Sequence, residues 1–356
     1  MDFDENNNNY TGTSEPQSSE PIYGAAQAAM PAAKPPKKRT GWKIFWGIFI
    51  GLSVLANFVL LAMLVLVGIA AAFGAGYKDA LVEEVIISGP RTTKIAVITL
   101  QGVIDGEKAQ ELYSQLKSAR QDKRVKGLII RVDSPGGTIS ASDQIYNEIL
   151  KYRHKTDKPV VAFMQGVAAS GGYYTSVACD KIVAEPTVIT GSIGVIMGHF
   201  VFQELFEDKL GIQPVIFKSG PKKDWPSPFQ PTTEEQRQYI QDKLISPAYE
   251  RFVQIVAEGR PSLTLTDVKR LADGSIYGAQ EALDEKLIDE IGYIDEAIKL
   301  VLSMAKIEKA EVVEYRKPFS LSGFLSSRSR NALKIDRTTL YELSTPQLLY
   351  LWNMCQ

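Results

Sequence analysis

A long uncharged apolar stretch near the amino terminus constrains this chain more than any other feature of the sequence. No charged residue occurs from Ile44 to Tyr77. About 20 apolar helical residues suffice to cross a bilayer, whereas the apolar part of a cleaved signal peptide covers only about 7–15 residues. The stretch therefore predicts a permanent membrane anchor rather than a buried soluble helix or a cleaved leader.

The charges on the two sides of this stretch predict its orientation. The basic cluster Lys37-Lys38-Arg39 precedes it, and Asp79 and Glu83 follow it. Cytoplasmic flanks of membrane spans carry an excess of lysine and arginine. We therefore expect a single-pass protein of the cell membrane, with a cytoplasmic amino terminus and everything after about residue 77 on the far side.

The anchor divides the chain into four predicted segments. Residues 1–36 are rich in Asn, Ser, Pro, Gln and Ala, which predicts a disordered cytoplasmic tail. Residues 37–77 form the basic flank and anchor, and residues 78–318 form an exported domain. Residues 319–356 form a carboxy-terminal tail with an apolar end, Leu348–Trp352. This end is expected to dock on its own domain, the alternatives being a neighbouring subunit or no docking.

Composition excludes several classes of function. Lys plus Arg total 40 and Asp plus Glu total 41, so no basic excess points to nucleic acid as a partner. The two cysteines, Cys179 and Cys355, match neither a disulfide framework nor a zinc motif. We expect no metal and no organic cofactor.

Strand-like and helix-like segments alternate in the exported domain. Lys94–Leu100, Gly127–Val132 and Pro159–Met164 are apolar and predict strands. Helices are expected at about 107–121, 140–152, from about 170, and at 233–258. This alternation favours βαβ units and a mainly parallel sheet.

Three glycine-rich turns each follow an apolar segment, Asp133–Gly137, Gly166–Gly172 and Thr190–Val195. Adjacent glycines that precede a helix leave N–H groups free to bind an oxyanion or a phosphate. The turns match no nucleotide-binding motif. A purely structural role as strand-to-helix turns is the alternative.

Ser170 is the best candidate nucleophile, although a serine at a strand-to-helix junction is also typical of a helix N-cap. A serine hydroxyl needs a base. His154 lies in a charged segment and His199 precedes an apolar one, so neither is favoured. A lysine of Lys218–Asp224 is the remaining candidate. The pKa of a free lysine is about 10.4, so such a base must be held in an apolar site to be neutral.

The chain resembles the signal peptide peptidase A family, peptidase family S49, in its short, single-repeat bacterial form. The resemblance covers about residues 92–298. The pieces that carry it follow the order of the family: Leu100–Ile104, Arg131–Gly137, Gly166–Tyr174, Thr190–Val195, Lys218–Asp224, and Tyr277–Ala279 followed by Leu287–Gly292. It implies an α/β fold similar to the Clp protease and crotonase spiral of ββα units, here preceded by one transmembrane helix.

The resemblance also implies roles for individual residues. Ser170 matches the nucleophile, Lys223 the general base, and Ser192 a hydroxyl that orients the lysine. The amides of Gly137 and Gly171 match the oxyanion hole. Lys222 is the alternative base, because the two lysines are adjacent. Pro221-Lys222 and Trp225-Pro226 depart from the commoner family pattern, which bears on how the lysine approaches the serine.

The implied activity is a membrane-bound serine endopeptidase with a Ser–Lys dyad. It would cleave remnant signal peptides and other short apolar membrane peptides through an acyl-enzyme. A single repeat implies a homo-oligomer, in which serine and lysine belong to one subunit or to two neighbours. The alternatives are a crotonase-like acyl-CoA enzyme and a non-catalytic scaffold that binds membrane peptides.

Overall fold

The computed structural model describes residues 40–74, 81–316 and 347–352. The chain divides into two compact units, Met1–Gly76 and Tyr77–Gln356. The predicted disordered tail, residues 1–36, lies outside the described residues, as do Cys355 and most of the segment 319–356.

The described part of the first unit is one helix, α1 (Thr40–Gly74). Its span Gly41–Ile69 has a mean hydropathy of 2.7, and among the described residues it is the one helix long and apolar enough to cross a membrane. The prediction of one long apolar helix is confirmed. Trp42 and Trp46 lie in its first two turns, and such rings are enriched where a span meets the headgroups.

The described part of the second unit mixes short strands with helices. The strands are β1 (Val82–Ile87), β2 (Lys94–Gln101), β3 (Val125–Ser134), β4 (Gly136–Thr138), β5 (Val160–Ala169), β6 (Lys181–Ala184), β7 (Ile189–Gly191), β8 (Ile196–Gly198), β9 (Ile276–Gly278), β10 (Glu290–Ile291), β11 (Glu311–Arg316) and β12 (Gln347–Leu351). The helices are α2 (Gly106–Gln121), α3 (Ile139–Thr156), α4 (Gly171–Ser176), α5 (Glu234–Ile240), α6 (Ser246–Gly259), α7 (Leu265–Leu271), α8 (Ala279–Asp284) and α9 (Ile294–Ala305). Short π-helical turns occur at Leu205–Lys209 and Gln241–Ile245.

Among these strands, nine form one sheet in the order β1-β11-β2-β3-β5-β6-β10, with β7 beside β5 and β9 beside β7. The pairs β11/β2, β2/β3, β3/β5 and β5/β6 are all parallel. The predicted α/β architecture with a mainly parallel sheet is confirmed.

Both faces of the central strands are buried, which explains why they read as continuous apolar runs. In β2, Ala96 and Ile98 belong to the larger core cluster with residues of α2, α3, α4 and α6. Ile95 and Val97 belong to a second cluster with residues of α9. Successive residues of a strand point to opposite faces, so a strand covered on both sides is apolar at every position.

The sequence led us to expect that the three glycine-rich turns continue directly into helices, but two of them do not. Only the second turn does so, and its helix α4 has just six residues. The first turn continues into β4, and the third continues into β8. The reason is non-local pairing, because β4 and β8 both pair with β12 in a second, three-stranded sheet.

A buried ion pair fastens the segment before α7 to the loop that leads into β10. Arg260 is 6% exposed and donates to Asp289 at 2.6 Å and to the Lys286 carbonyl at 2.9 Å. Burial alone would raise the pKa of Asp289, but the hydrogen bonds from Arg260 and Lys181 outweigh it and hold that pKa below its ordinary value.

Replacing Arg260 with alanine should lower the free energy of unfolding by about 3 kcal/mol, because it leaves a half-buried carboxylate without its main partner. Urea denaturation of the full chain in detergent measures the change. Arg270→Ala, which removes the exposed pair with Glu285, is the matched control and should change stability little. Equal losses from the two variants would contradict this assignment.

Candidate active site

Ser170 lies in a strained turn between β5 and α4. Its φ is 53° and its ψ is −113°, a conformation that a residue with a side chain rarely adopts. It stands at the N-cap position of α4, yet its side chain makes no capping hydrogen bond. Non-glycine residues held in such conformations are concentrated at functional sites. The turn therefore fits a residue held for its hydroxyl better than it fits a helix cap.

The turn after β3 crosses the turn that carries Ser170 at backbone contact. A Cβ built on Gly136, whose φ is +101°, would lie 2.7 Å from the Gly171 amide nitrogen. A Cβ on Gly171 would lie 3.0 Å from the Gly136 Cα. Real Cβ atoms essentially never come as close to backbone as the first of these distances, and few come as close as the second, so the crossing favours glycine at both positions. It brings the main-chain groups of two separate turns together beside Ser170.

The amide of Gly137 faces the cleft next to this crossing. On one side of β4, Ile104 donates to the Gly136 carbonyl at 2.8 Å and accepts from the Thr138 amide at 2.8 Å. Strand geometry then directs the N–H and C=O of Gly137 to the opposite side, where β12 pairs. The Trp352 amide donates to the Pro135 carbonyl at 2.8 Å. Hydrogen-bonded pairs in an antiparallel ladder recur at every second residue, so the next such pair is formed by Gly137 and Tyr350.

The carbonyl oxygen of Tyr350 lies against both glycine turns. It is 2.0 Å from the position of a Cβ on Gly136 and 3.1 Å from that of a Cβ on Gly171. A peptide carbonyl therefore lies beside Ser170, in the place that the Gly137 amide faces. The strand register directs the Gly137 amide at this oxygen and the Gly171 turn lies against it, and main-chain donors around one carbonyl oxygen can stabilise an oxyanion.

Ser192 shares a cavity with Ser170. The cavity has a volume of about 480 Å³, and its lining includes Ser170, Ser192, Tyr249, Leu351 and Trp352. Ser192 follows β7 with a φ of 47°, and its amide donates to the Ser275 carbonyl at 2.7 Å. The structure thus brings together Ser170, Ser192 and the two glycine turns.

Lys223 does not line that cavity. It lies in the turn Gly220–Asp224, where its amide donates to the Gly220 carbonyl at 3.2 Å and its side chain is exposed. Within the described residues Lys223 makes no ion pair and no ring contact. Of the five predicted site residues, Lys223 is the one that a single chain does not bring to the serine.

The two other lysines of the segment Lys218–Asp224 have partners. Lys218 pairs with Asp224 at 2.8 Å, and this hydrogen bond holds the pKa of Asp224 below its ordinary value. The Lys222 amine lies 4.4 Å from the centre of the Tyr239 ring, 4.9 Å from that of Trp225, and 3.8 Å from Glu235. The Lys222 amine is therefore engaged by two rings, as in a cation–π contact.

Known proteins match the chain over the same region. The model of Peptidase family S49 matches residues 152–308, which contain Ser170, Ser192 and Lys223, and the Clp protease model matches residues 84–186. A "Putative signal peptide peptidase SppA" of Enterococcus faecium is 38% identical over 261 residues, which is 70% of this chain and 74% of that protein. The chain belongs to peptidase family S49, the signal peptide peptidase A family.

Longer relatives match in part. "Protease 4" of Haemophilus influenzae is 36% identical over 58% of this chain, and this chain covers 34% of that protein. A solved ClpP1 mutant from Listeria monocytogenes is 19% identical with a TM-score of 0.38, covering 55% of this chain and 91% of that one. As a member of peptidase family S49, the chain is a serine-type peptidase.

Neither histidine of this S49 peptidase lines the Ser170 cavity. His199 Nε2 lies 3.0 Å from the Thr232 hydroxyl, and burial lowers the pKa of His199. His154 is exposed on the opposite end of α3 from the glycine turns. The chain has two histidines, so the geometry gives Ser170 no histidine base.

An aromatic pocket beside Ser170 escaped the sequence analysis. Tyr350 of β12 is fully buried, with its ring centre 4.8 Å from those of Tyr174 and Phe252. Tyr174 follows the serine by four residues, but Phe252 and Tyr350 are distant in sequence. The apolar end Leu348–Trp352 was the only signal, and it did not reveal that β12 lies in the cleft.

Ser170→Gly should be more stable than Ser170→Ala by about 1 kcal/mol, because glycine relieves the positive φ that alanine keeps. Thermal unfolding of the two variants measures the difference. At Ser142, inside α3, the same pair of substitutions should give the opposite order, since glycine costs helix stability there. If Ser170→Gly were the less stable variant, the turn would not be strained.

Proposed function

We propose that this S49 peptidase is a membrane-anchored endopeptidase in which Ser170 attacks a peptide carbonyl and Lys223 accepts its proton. The observation that carries the proposal is the position of the Tyr350 carbonyl, which lies beside Ser170 against the turns of Gly136 and Gly171. A substrate carbonyl in that place would meet the nucleophile and two amide donors together.

The proposed reaction is acyl transfer. Neutral Lys223 takes the proton of the Ser170 hydroxyl, whose oxygen bonds to the carbonyl carbon. The amides of Gly137 and Gly171 hold the resulting oxyanion, and the lysine returns the proton to the leaving amine. Water, deprotonated by the same lysine, then cleaves the ester and frees the serine. Ser192 would orient the lysine through its hydroxyl.

Lys223 is the favoured base because its neighbours are engaged, Lys218 by Asp224 and Lys222 by two rings. Since Lys223 is exposed in its own chain, we infer that it serves the Ser170 of a neighbouring subunit in a homo-oligomer. Exposed apolar side chains just before the turn support this assembly, because a free protein seldom presents such a patch. They include Val215, Ile216 and Phe217, the last 95% exposed.

The proposed substrates are short apolar peptides at a membrane, including remnant signal peptides. Support comes from the long apolar helix α1 and from a relative named as a putative signal peptide peptidase. The basic cluster Lys37–Arg39 before α1 favours a cytoplasmic amino terminus and an exported protease domain. The acyl-CoA alternative loses its basis because the family is a peptidase family. A scaffold role would leave unexplained why two glycine turns and Ser192 lie together around Ser170.

Ser170→Ala and Lys223→Ala should each abolish cleavage of an apolar peptide, because each removes a reacting group. Lys222→Ala should retain most of the activity, since its amine is held over Trp225 and Tyr239. The assay uses the full chain in detergent across neutral to alkaline pH. Activity should rise with pH, because the base works only when deprotonated.

Mixing the two inactive variants tests the assignment of the base to a neighbour. Co-assembled Ser170→Ala and Lys223→Ala subunits should regain part of the activity, since a site at their contact has one intact serine and one intact lysine. A fluorophosphonate adduct on Ser170 reports the nucleophile independently. Equal loss from Lys222→Ala would overturn the choice of Lys223, and a mixture that stays inactive would overturn the shared site.

A further inference from the structure

A second cavity adjoins the cavity of Ser170 and is larger than it. Its volume is about 810 Å³, within the range of about 300–1,000 Å³ that is usual for ligand sites. Residues 195–199 line one side, and α5 and the π-helical turn after it line the other. Val195 and Ile196 line both cavities, so a ligand can extend from one into the other. We call the second cavity the β8 groove.

The β8 groove carries an unbalanced positive charge. Of the described lysine, arginine and acidic residues, only Arg237 lines it. The Arg237 guanidinium makes no ion pair within the part of the chain that the structure describes. Burial, and secondarily the charge of Arg237, lower the pKa of His199, so that imidazole adds no charge at neutral pH. A guanidinium without a carboxylate partner favours an anionic ligand, above all a carboxylate.

The free edge of β8 favours a peptide over other anions. Because Gly137 and Tyr350 form a hydrogen-bonded pair, Leu349 directs its main chain to the other side, where its partner is Ile196. The N–H and C=O of Met197 then face away from β12, on the side where no described strand pairs with β8. An extended peptide can add to such an edge through its main chain.

Apolar side chains make up much of the remaining lining. Val201, Ile240 and Ile245 contribute to it together with Ile196, whose side chain is 45% exposed. No residue of β12 lines the groove, so a ligand can enter it without displacing that strand. The groove therefore suits a peptide that has apolar side chains and one anionic group.

Resting on the function proposed above, we propose that the β8 groove binds the carboxy-terminal end of the substrate and that Arg237 pairs with its free α-carboxylate. The cleaved bond then lies a few residues before that carboxylate, because the groove adjoins the Ser170 cavity. A released signal peptide ends in a free carboxylate, whereas the same segment within a longer chain continues in an uncharged amide. Arg237 thus favours released peptides over segments of intact proteins.

Binding to the inactive Ser170→Ala protein, full length in detergent, tests the proposal without turnover. The probes are the amino-terminally labelled peptide Leu-Ala-Leu-Val-Leu-Ala with a free carboxylate and the same peptide with an amidated end. The acid should bind about tenfold more tightly than the amide, the value of one hydrogen bond between charged groups. In Ser170→Ala combined with Arg237→Gln, the two peptides should bind equally.

A matched variant separates the groove from the general charge of the surface. Lys243→Gln removes one exposed positive charge near Gln241 but does not alter the lining of the groove. It should leave the tenfold preference for the acid unchanged. Arg237 is exposed, so its replacement by glutamine should leave the fold intact.

A fatty acid tests whether the ligand must be a peptide. Decanoate carries a carboxylate and an apolar chain but has no main-chain groups to pair with β8. It should compete with the labelled acid peptide at least about tenfold less well than the unlabelled peptide does. Equal competition would show that the groove takes fatty acids and would overturn the assignment to a peptide.

Cleavage by the active protein supplies the second readout. Arg237→Gln should raise KM for the acid peptide about tenfold and leave kcat nearly unchanged, because the lost contact lies away from the reacting atoms. The amidated peptide should be cleaved alike by both proteins. Equal affinity for acid and amide in the Ser170→Ala protein would overturn the role of Arg237. Cleavage of the amidated peptide that still requires Ser170 and Lys223 would show that the proposed chemistry survives that result.

Discussion

The crossing of two glycine turns at backbone contact is the constraint on which the rest of the site depends. Gly136 and Gly171 approach so closely that neither position has room for a Cβ. The approach puts β4 next to the start of α4 and directs the Gly137 amide toward the cleft. It also requires the chain to turn sharply at Ser170, which accounts for the positive φ of that residue. Strain at the nucleophile and convergence of the amides thus have one cause.

The parallel sheet holds this crossing in place. β3 and β5 are neighbours, so the turns at their carboxyl ends emerge side by side, as in other α/β proteins that bind ligands at that edge. The Ser134 hydroxyl donates to the Gly102 carbonyl at 2.6 Å and accepts from the Gly136 amide at 3.1 Å, which anchors the first turn to the loop after β2. The buried apolar strands therefore set the position of the site, and local polar contacts set its orientation.

The pattern of neighbouring residues was sufficient to predict part of the fold but not the rest. The apolar runs of β2, β3 and β5 and the turn before Gly171 could be read from neighbouring residues, because burial on both faces and tight turns leave local signals. The continuation of the turns at Gly136 and Ser192 into strands could not be read from neighbouring residues. These strands pair with Tyr350 and its neighbours, which lie about 150 to 210 positions away in the sequence. The predicted roles of Ser192, Gly137 and Lys223 came from a family resemblance, and they remain predictions.

The separation of Lys223, the proposed base, from Ser170 within one chain would make activity depend on assembly. Lys223 lies in an exposed turn six residues after the apolar Phe217, so a subunit contact that covers both would also take the lysine out of water. Burial is what leaves a lysine amine neutral and so able to accept a proton, because burial disfavours the charged form. Formation of the subunit contact and activation of the base would then be one event. A chain without neighbours would then have Ser170 but no lysine beside it.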